Sequence, residues 1–196
     1  MTLHFATEPR NGSALVQQGM HKLSKRPNPL SGRAVDFSTL AVQPPHAVYD
    51  LRADVVAGGG GLESATASGF RYLVEGNGTN IAAAEVHADA TGAATLLANI
   101  NFGPFVDATA KALAQVATLP SVQAGSYEVR LLRFSAIALM ALWLKPDAGG
   151  ADIIFPLAPA PDGLHAGQSY SEADFLKAIL PLAQKRASKK GQATVP

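Results

Sequence analysis

One stretch constrains this chain more than any other: Tyr127-Glu-Val-Arg-Leu-Leu-Arg-Phe-Ser-Ala-Ile-Ala-Leu-Met-Ala-Leu-Trp-Leu144. It is the longest apolar passage and holds the single tryptophan. Residues 127–132 alternate, with Tyr127, Val129 and Leu131 on one side and Glu128 and Arg130 on the other, the period of a strand with one wet face. The alternation then fails at Leu132, Arg133 and Phe134, and from Ala136 to Leu144 every residue is apolar. Such a run has no preferred face, and periodicity alone does not separate a buried strand from a buried helix. Ala, Leu and Met favour a helix. Context favours a strand, because Pro146 pushes Lys145 out of the α region and nine residues make an ordinary strand but a short helix. One unbroken strand over 127–144 would span roughly 60 Å at 3.3 Å per residue, too long for a domain of this size. The expectation is strand, break near Phe134-Ser135-Ala136, strand; strand followed by helix is the alternative. Asp152-Ile-Ile-Phe-Pro-Leu157 belongs to the same core, and Trp143 reads as a core anchor whose indole N–H needs one partner.

The remaining elements follow from shorter signals. Asn11 or Ser13 caps a helix to about Lys25, with Leu15, Val16, Met20 and Leu23 as its stripe. A Pro-, Ser- and Gly-rich loop follows from Pro27 to Pro45, pinned by Phe37, Leu40 and Val42. His46 to Val56 reads as a strand with Ala47, Tyr49, Leu51, Ala53 and Val55 inward and His46, Asp50, Arg52 and Asp54 wet. Phe70 to Glu75 and Asn80 to Asp89 read as two strands joined by Gly76-Asn-Gly78, a tight-turn signal. Thr95 to Phe102 is a further strand, and Val106 to Thr118 is a helix on the stripe Val106, Ala110, Leu113, Val116 and Ala117. Residues 151–158 form a strand in which Pro156 demands an edge or a bulge. Ser171-Glu-Ala-Asp174 resembles a capping box. It opens a helix to about Arg186 with Phe175, Ile179, Leu182 and Ala183 buried, and Pro181 should kink or shorten that helix. Short connections and the lack of a βαβ rhythm point to an α+β fold: a mostly antiparallel sheet with helices packed on one face. The organisation expected is an N-terminal arm over 1–45, a single α+β domain over 46–186 and a basic tail over 187–196. The arm is packed, mobile or partner-binding.

Several function classes are marked down. The 196 residues contain no cysteine, which removes disulfides, thiolate metal sites and a cysteine nucleophile. A net charge of +1 argues for neither nucleic acid nor an anionic membrane. There is no signal-peptide pattern at the N-terminus and no uninterrupted spanning run, so the setting expected is the cytoplasm. The sequons at Asn11 and Asn77 are read as turns. Gly58-Gly-Gly-Gly61 lacks the Gly-Lys-Ser/Thr of a phosphate loop and is read as a connector. No nucleophile elbow and no His-Glu-x-x-His is present, no cofactor is implied, and His4, His21, His46 and His165 are read as solvated.

Glu85, His87 and Asp89 are the candidate ligand-binding residues. Spaced two apart, they project from one face of a strand, the geometry an acid–base pair or a carboxylate–imidazole site needs; an ordinary wet strand face would carry the same charges. The tail Lys185-Arg186-Ala-Ser-Lys189-Lys190 has a nucleic-acid or acidic-lipid reading, set against a dipole-compatible helix end followed by a frayed terminus. The first functional reading is therefore a non-enzymatic interaction or assembly domain, with a protein partner or a homo-oligomer as its target. The alternative is a small enzyme or ligand-binding protein with a pocket between sheet and helices, near Glu85, His87 and Asp89 or around Tyr72 and Trp143. A nucleic-acid accessory role through the tail is the weakest.

Overall fold

The computed structural model describes residues 2–25 and 39–192, with side chains up to Lys189. In chain order the elements are β1 (Thr2–Phe5), α1 (Gly12–Ser24), β2 (Ala41–Val42), β3 (His46–Asp50), α2 (Ala53–Ala57), β4 (Thr66–Gly76), β5 (Thr79–Ala88), β6 (Ala94–Asn101), α3 (Phe105–Val116), α4 (Pro120–Gln123), β7 (Ser126–Phe134), β8 (Leu139–Pro146), β9 (Ile153–Pro156), β10 (Tyr170–Ser171) and α5 (Glu172–Gln192). Single 3-10 turns occupy Leu62–Ser64 and Ser135–Ile137. The ten described strands form one sheet: eight run in the order β10-β9-β8-β7-β3-β4-β5-β6, and off that path β1 pairs with β7 and β2 with β4. The class is α+β with a mostly antiparallel sheet, as the sequence leads one to expect.

The central stretch is two strands around a break. β7 ends at Phe134, the 3-10 turn follows, and Ala138 closes it in the left-handed region at φ 53°. β8 then returns antiparallel, with Phe134 opposite Leu139 and Tyr127 opposite Pro146. The hairpin between β4 and β5 is of the tightest kind: Asn77 (φ 53°) and Gly78 (φ 73°) form the two-residue turn that matches strand twist. The Ser171 hydroxyl accepts from the Asp174 N–H at 3.2 Å, so the capping signal opens α5 where expected.

The helices, however, lie on both faces of the sheet rather than on one. Adjacent residues of β7 and β8 point opposite ways. Leu132, Phe134, Ala141 and Trp143 pack with Phe175, Ile179 and Ala183 of α5. Val129, Leu131, Met140, Leu142 and Leu144 pack with Ala112 and Val116 of α3. A run apolar on both sides needs two covers, and this chain supplies both. On the same face as α5, helix α1 buries Val16 and Met20 against Tyr72, Val74, Ala82, Ala84 and Val86.

The first residues of the chain are packed. β1 runs parallel to the start of β7, with Thr2 opposite Ser126, and β3 continues along the same edge of β7, with Ala47 opposite Arg130. These parallel pairings have no local sequence signal. The Pro-rich loop falls largely on residues 26–38, outside the described residues. Its far end is placed: β2 pairs with Val74 and Glu75 of β4, and Leu40 and Val42 join the α1 cluster.

Two boundaries differ from the sequence reading. The strand from His46 stops at Asp50, because its partner β7 ends at Phe134; the Leu51 N–H still reaches the Arg133 carbonyl at 2.8 Å. Leu51, Val56 and Leu62 then turn under α5 to fill its cluster. At the other end α5 runs through Pro181 and past Arg186 to Gln192, so this part of the tail is helical and not frayed. Residues 193–196 lie outside the described residues. Among the described residues no helix is long and apolar enough to cross a membrane.

Candidate functional site

Glu85, His87 and Asp89 are not brought together. β5 slips register against β6 between Glu85 and Val86 and again between His87 and Ala88. The extra residues, Ala98 and Thr95, lie in β6, while β5 keeps a regular register against β4 from Leu73 opposite Ala83 to Phe70 opposite Val86. Glu85 turns toward the α3 side, where it accepts from Arg71 at 3.3 Å and from Arg133 at 2.8 Å. His87 is exposed. Asp89 is exposed too and caps its own turn, accepting from the Thr91 N–H at 2.9 Å, the Thr91 hydroxyl at 2.7 Å and the Ala93 N–H at 3.1 Å. These bonds, Thr91's first, hold its carboxyl below the usual carboxylate range. Among the described residues no cluster of three or more His, Asp and Glu could hold a metal ion.

Around Glu85 the structure builds a charge network that the sequence does not announce. Arg133 grips Asp50 with both Nε (2.6 Å) and Nη2 (3.0 Å), a bidentate pair, while its Nη1 reaches Glu85. Burial works against the Asp50 carboxylate, but the hydrogen bonds from Arg133 and Ser68 outweigh it and keep its pKa low. Arg71 is only 2 % exposed, and burial lowers its guanidinium pKa despite Glu85. Beside it, opposite in register, His46 is also 2 % exposed, not solvated as its place at a strand start implied. Its Nδ1 lies 3.4 Å from the Arg71 carbonyl and its ring meets Phe5 edge-on at 5.1 Å. Burial pulls its pKa down to about 4; the bond to the Arg71 carbonyl opposes the shift and the Arg71 charge adds to it.

The opposite face carries an aromatic and cationic stack. Trp143 is buried and donates its indole N–H to Asp152 at 2.9 Å, as a core anchor should. Asp152 also takes Lys145 at 3.1 Å. Tyr49 stands edge-on to Trp143 at 5.2 Å, and the Arg130 guanidinium sits over both rings, 4.8 Å and 5.1 Å from their centres. Glu128 fixes Arg130 through two bonds of 2.9 and 2.6 Å. Alternation along β7 marked Arg130 only as a wet-face residue; its partner Tyr49 lies on another strand, and no local signal could have paired them. Tyr72 is wholly buried at the start of α1 against Gly12, where burial first and the Glu8 carboxylate second raise its phenol pKa well above the usual value. It belongs to a different core cluster from Trp143. A depression of about 460 Å³ opens over β3 and β4, lined by Tyr49, Phe70, Ser68, Asp89 and Glu128 among others; Glu85 and His87 do not line it.

Among the described residues the two exposed large hydrophobic side chains both belong to the β6 edge. Leu96 is 56 % exposed and Phe102 is 39 % exposed. Among the described residues no strand pairs with the outer side of β6; only Arg10 bridges its start, at Ala93. No charge and no proline occurs from Ala93 to Phe102, so the usual protections of an edge strand are missing apart from its two register slips. On one side the strand and α1 frame a groove of about 450 Å³ with Leu23, Leu97, Ile100 and Phe102. Comparison with known protein families, with curated proteins and with solved structures finds no match in any of the three.

Proposed function

We propose that this chain is a non-enzymatic assembly domain that docks through the β6 edge, in the first place onto a second copy of itself. One observation carries the reading: the exposed Leu96 and Phe102 flank an uncharged edge strand whose outer backbone groups, among the described residues, pair with no strand. Such an edge offers donors and acceptors in alternation and is self-complementary in the antiparallel sense, as a twofold interface requires. No like charges meet across that axis within 93–102. The cysteine-free composition suits the reducing cytoplasm.

Sedimentation at rising concentration tests this. The expected result is a dimer that forms by about 100 µM, the scale of a modest apolar interface, and that Leu96→Lys abolishes while leaving the melting temperature unchanged. A wild-type protein that stays monomeric there would overturn self-assembly. A second reading is a ligand pocket; the depression beside Tyr49 and Glu128 supports it, although strands and loops rather than helices line it. Its occupant would change the emission of Trp143, which touches Tyr49.

A further inference from the structure

The last turns of α5 present a second surface, remote in sequence from β6 and independent of the assembly reading. The apolar stripe Phe175, Ile179 and Ala183 is spent in the core. Leu182, Lys185, Arg186 and Lys189, three and four apart, share another face of the helix. Opposite them stand Ile137, Ala160 and Pro161 with Asp162, and together these residues line a depression of about 360 Å³. Among the described residues none of the three cations is in an ion pair. A helix C-terminus tolerates cations. That does not account for three of them converging on an aliphatic floor.

We propose that this groove binds an acidic segment of a protein partner, a stretch of Asp or Glu bearing at least one aliphatic side chain. The cations take the carboxylates, and Leu182, Ile137, Ala160 and Pro161 take the aliphatic group. Three features favour a peptide over other polyanions. The groove holds no aromatic ring on which a base could stack. Asp162 sits inside it, where it repels a phosphate backbone but can accept a peptide N–H. The apolar stripe of α5 faces the core, so the helix has no free apolar face to lay into a bilayer.

The test is fluorescence anisotropy on the full chain with a labelled Glu-rich peptide carrying leucine at every third or fourth position. Its comparators are the same peptide with Gln for Glu, the same peptide with Ser for Leu, a DNA duplex and phosphatidylserine vesicles. The expected result is binding at least about tenfold tighter than to either altered peptide, weakened by salt and tighter than to DNA or vesicles. Lys185→Glu, Arg186→Glu and Lys189→Glu together should reduce that affinity at least about tenfold, and Asp162→Asn should raise it about two- to threefold. All four positions are on the surface lining, and an unchanged circular dichroism spectrum shows that each variant is folded. Equal binding of the Gln peptide, preference for DNA or for vesicles, or indifference to the triple substitution would each overturn the proposal.

Discussion

Strands β7 and β8 are sealed on both faces, α5 above and α3 below, and their inward residues are large: Leu, Phe, Met, Trp. At the other end of the same sheet β5 offers Ala82, Ala83 and Ala84, and its neighbour β6 keeps Leu96 and Phe102 in water. Alanines let α1 and α3 approach closely, but they remove little apolar surface from solvent. Fold stability is therefore concentrated where the side chains are large, and the alanine-floored end is left with unused apolar surface and unused backbone groups. That contrast underlies the proposal that one half supports the fold and the other makes contact.

The strongest way to break the contrast is in the sealed half. Trp143→Ala should cost about 3–5 kcal/mol, from the cavity and from stranding Asp152 without its indole donor. Urea denaturation reads it; a cost under about 1 kcal/mol would show that this half is not the stabilising one. Next comes acid. His46 has its folded pKa near 4 against an ordinary value of 6.5. Between those values the unfolded chain takes up a proton that the folded chain refuses. Stability should then fall by about 3 kcal/mol as pH drops from 6.5 to 4, with no contribution above pH 7. His46→Phe should flatten that slope in the same denaturation series. At the α1 boundary, Gly12→Ala would place a methyl 1.9 Å from the Tyr72 hydroxyl. A loss of about 1–3 kcal/mol is expected, partly restored when Tyr72→Phe removes the hydroxyl; no restoration would mean that the crowding lies elsewhere. The smallest stability effect belongs to the open half, where Leu96→Lys should stay within about 0.5 kcal/mol of wild type. A large loss there would erase the contrast.

Much of the antiparallel framework was legible in the sequence because its signals are local. Asn77-Gly78 fixes a hairpin, Ser171 with Asp174 starts α5, and the length of 127–144 forces a break at Ser135. What escaped is long-range. A run apolar on both sides says that two covers exist but not which helices supply them, so α3 and α5 could not be assigned to opposite faces. His46 looked wet because its cover, Phe5 and Arg71, comes from two other strands. The spacing of Glu85, His87 and Asp89 does not name their partners: Glu85 pairs with Arg71 and Arg133 from two other strands, and Asp89 caps its own turn.

The order in which strands line up along one edge of β7 bears on how the polypeptide is made. Thr2–Phe5 and Ala47–Asp50 lie end to end there; Ala47–Asp50 also pairs with residues 66–70 of β4, but the place of Thr2–Phe5 in the sheet awaits residues 126–129. A ribosome delivers those two strands first and their partner last. Most of the nascent chain must leave the exit tunnel before Thr2–Phe5 can pair, so the sheet is completed late, and holding factors have a long interval in which to act.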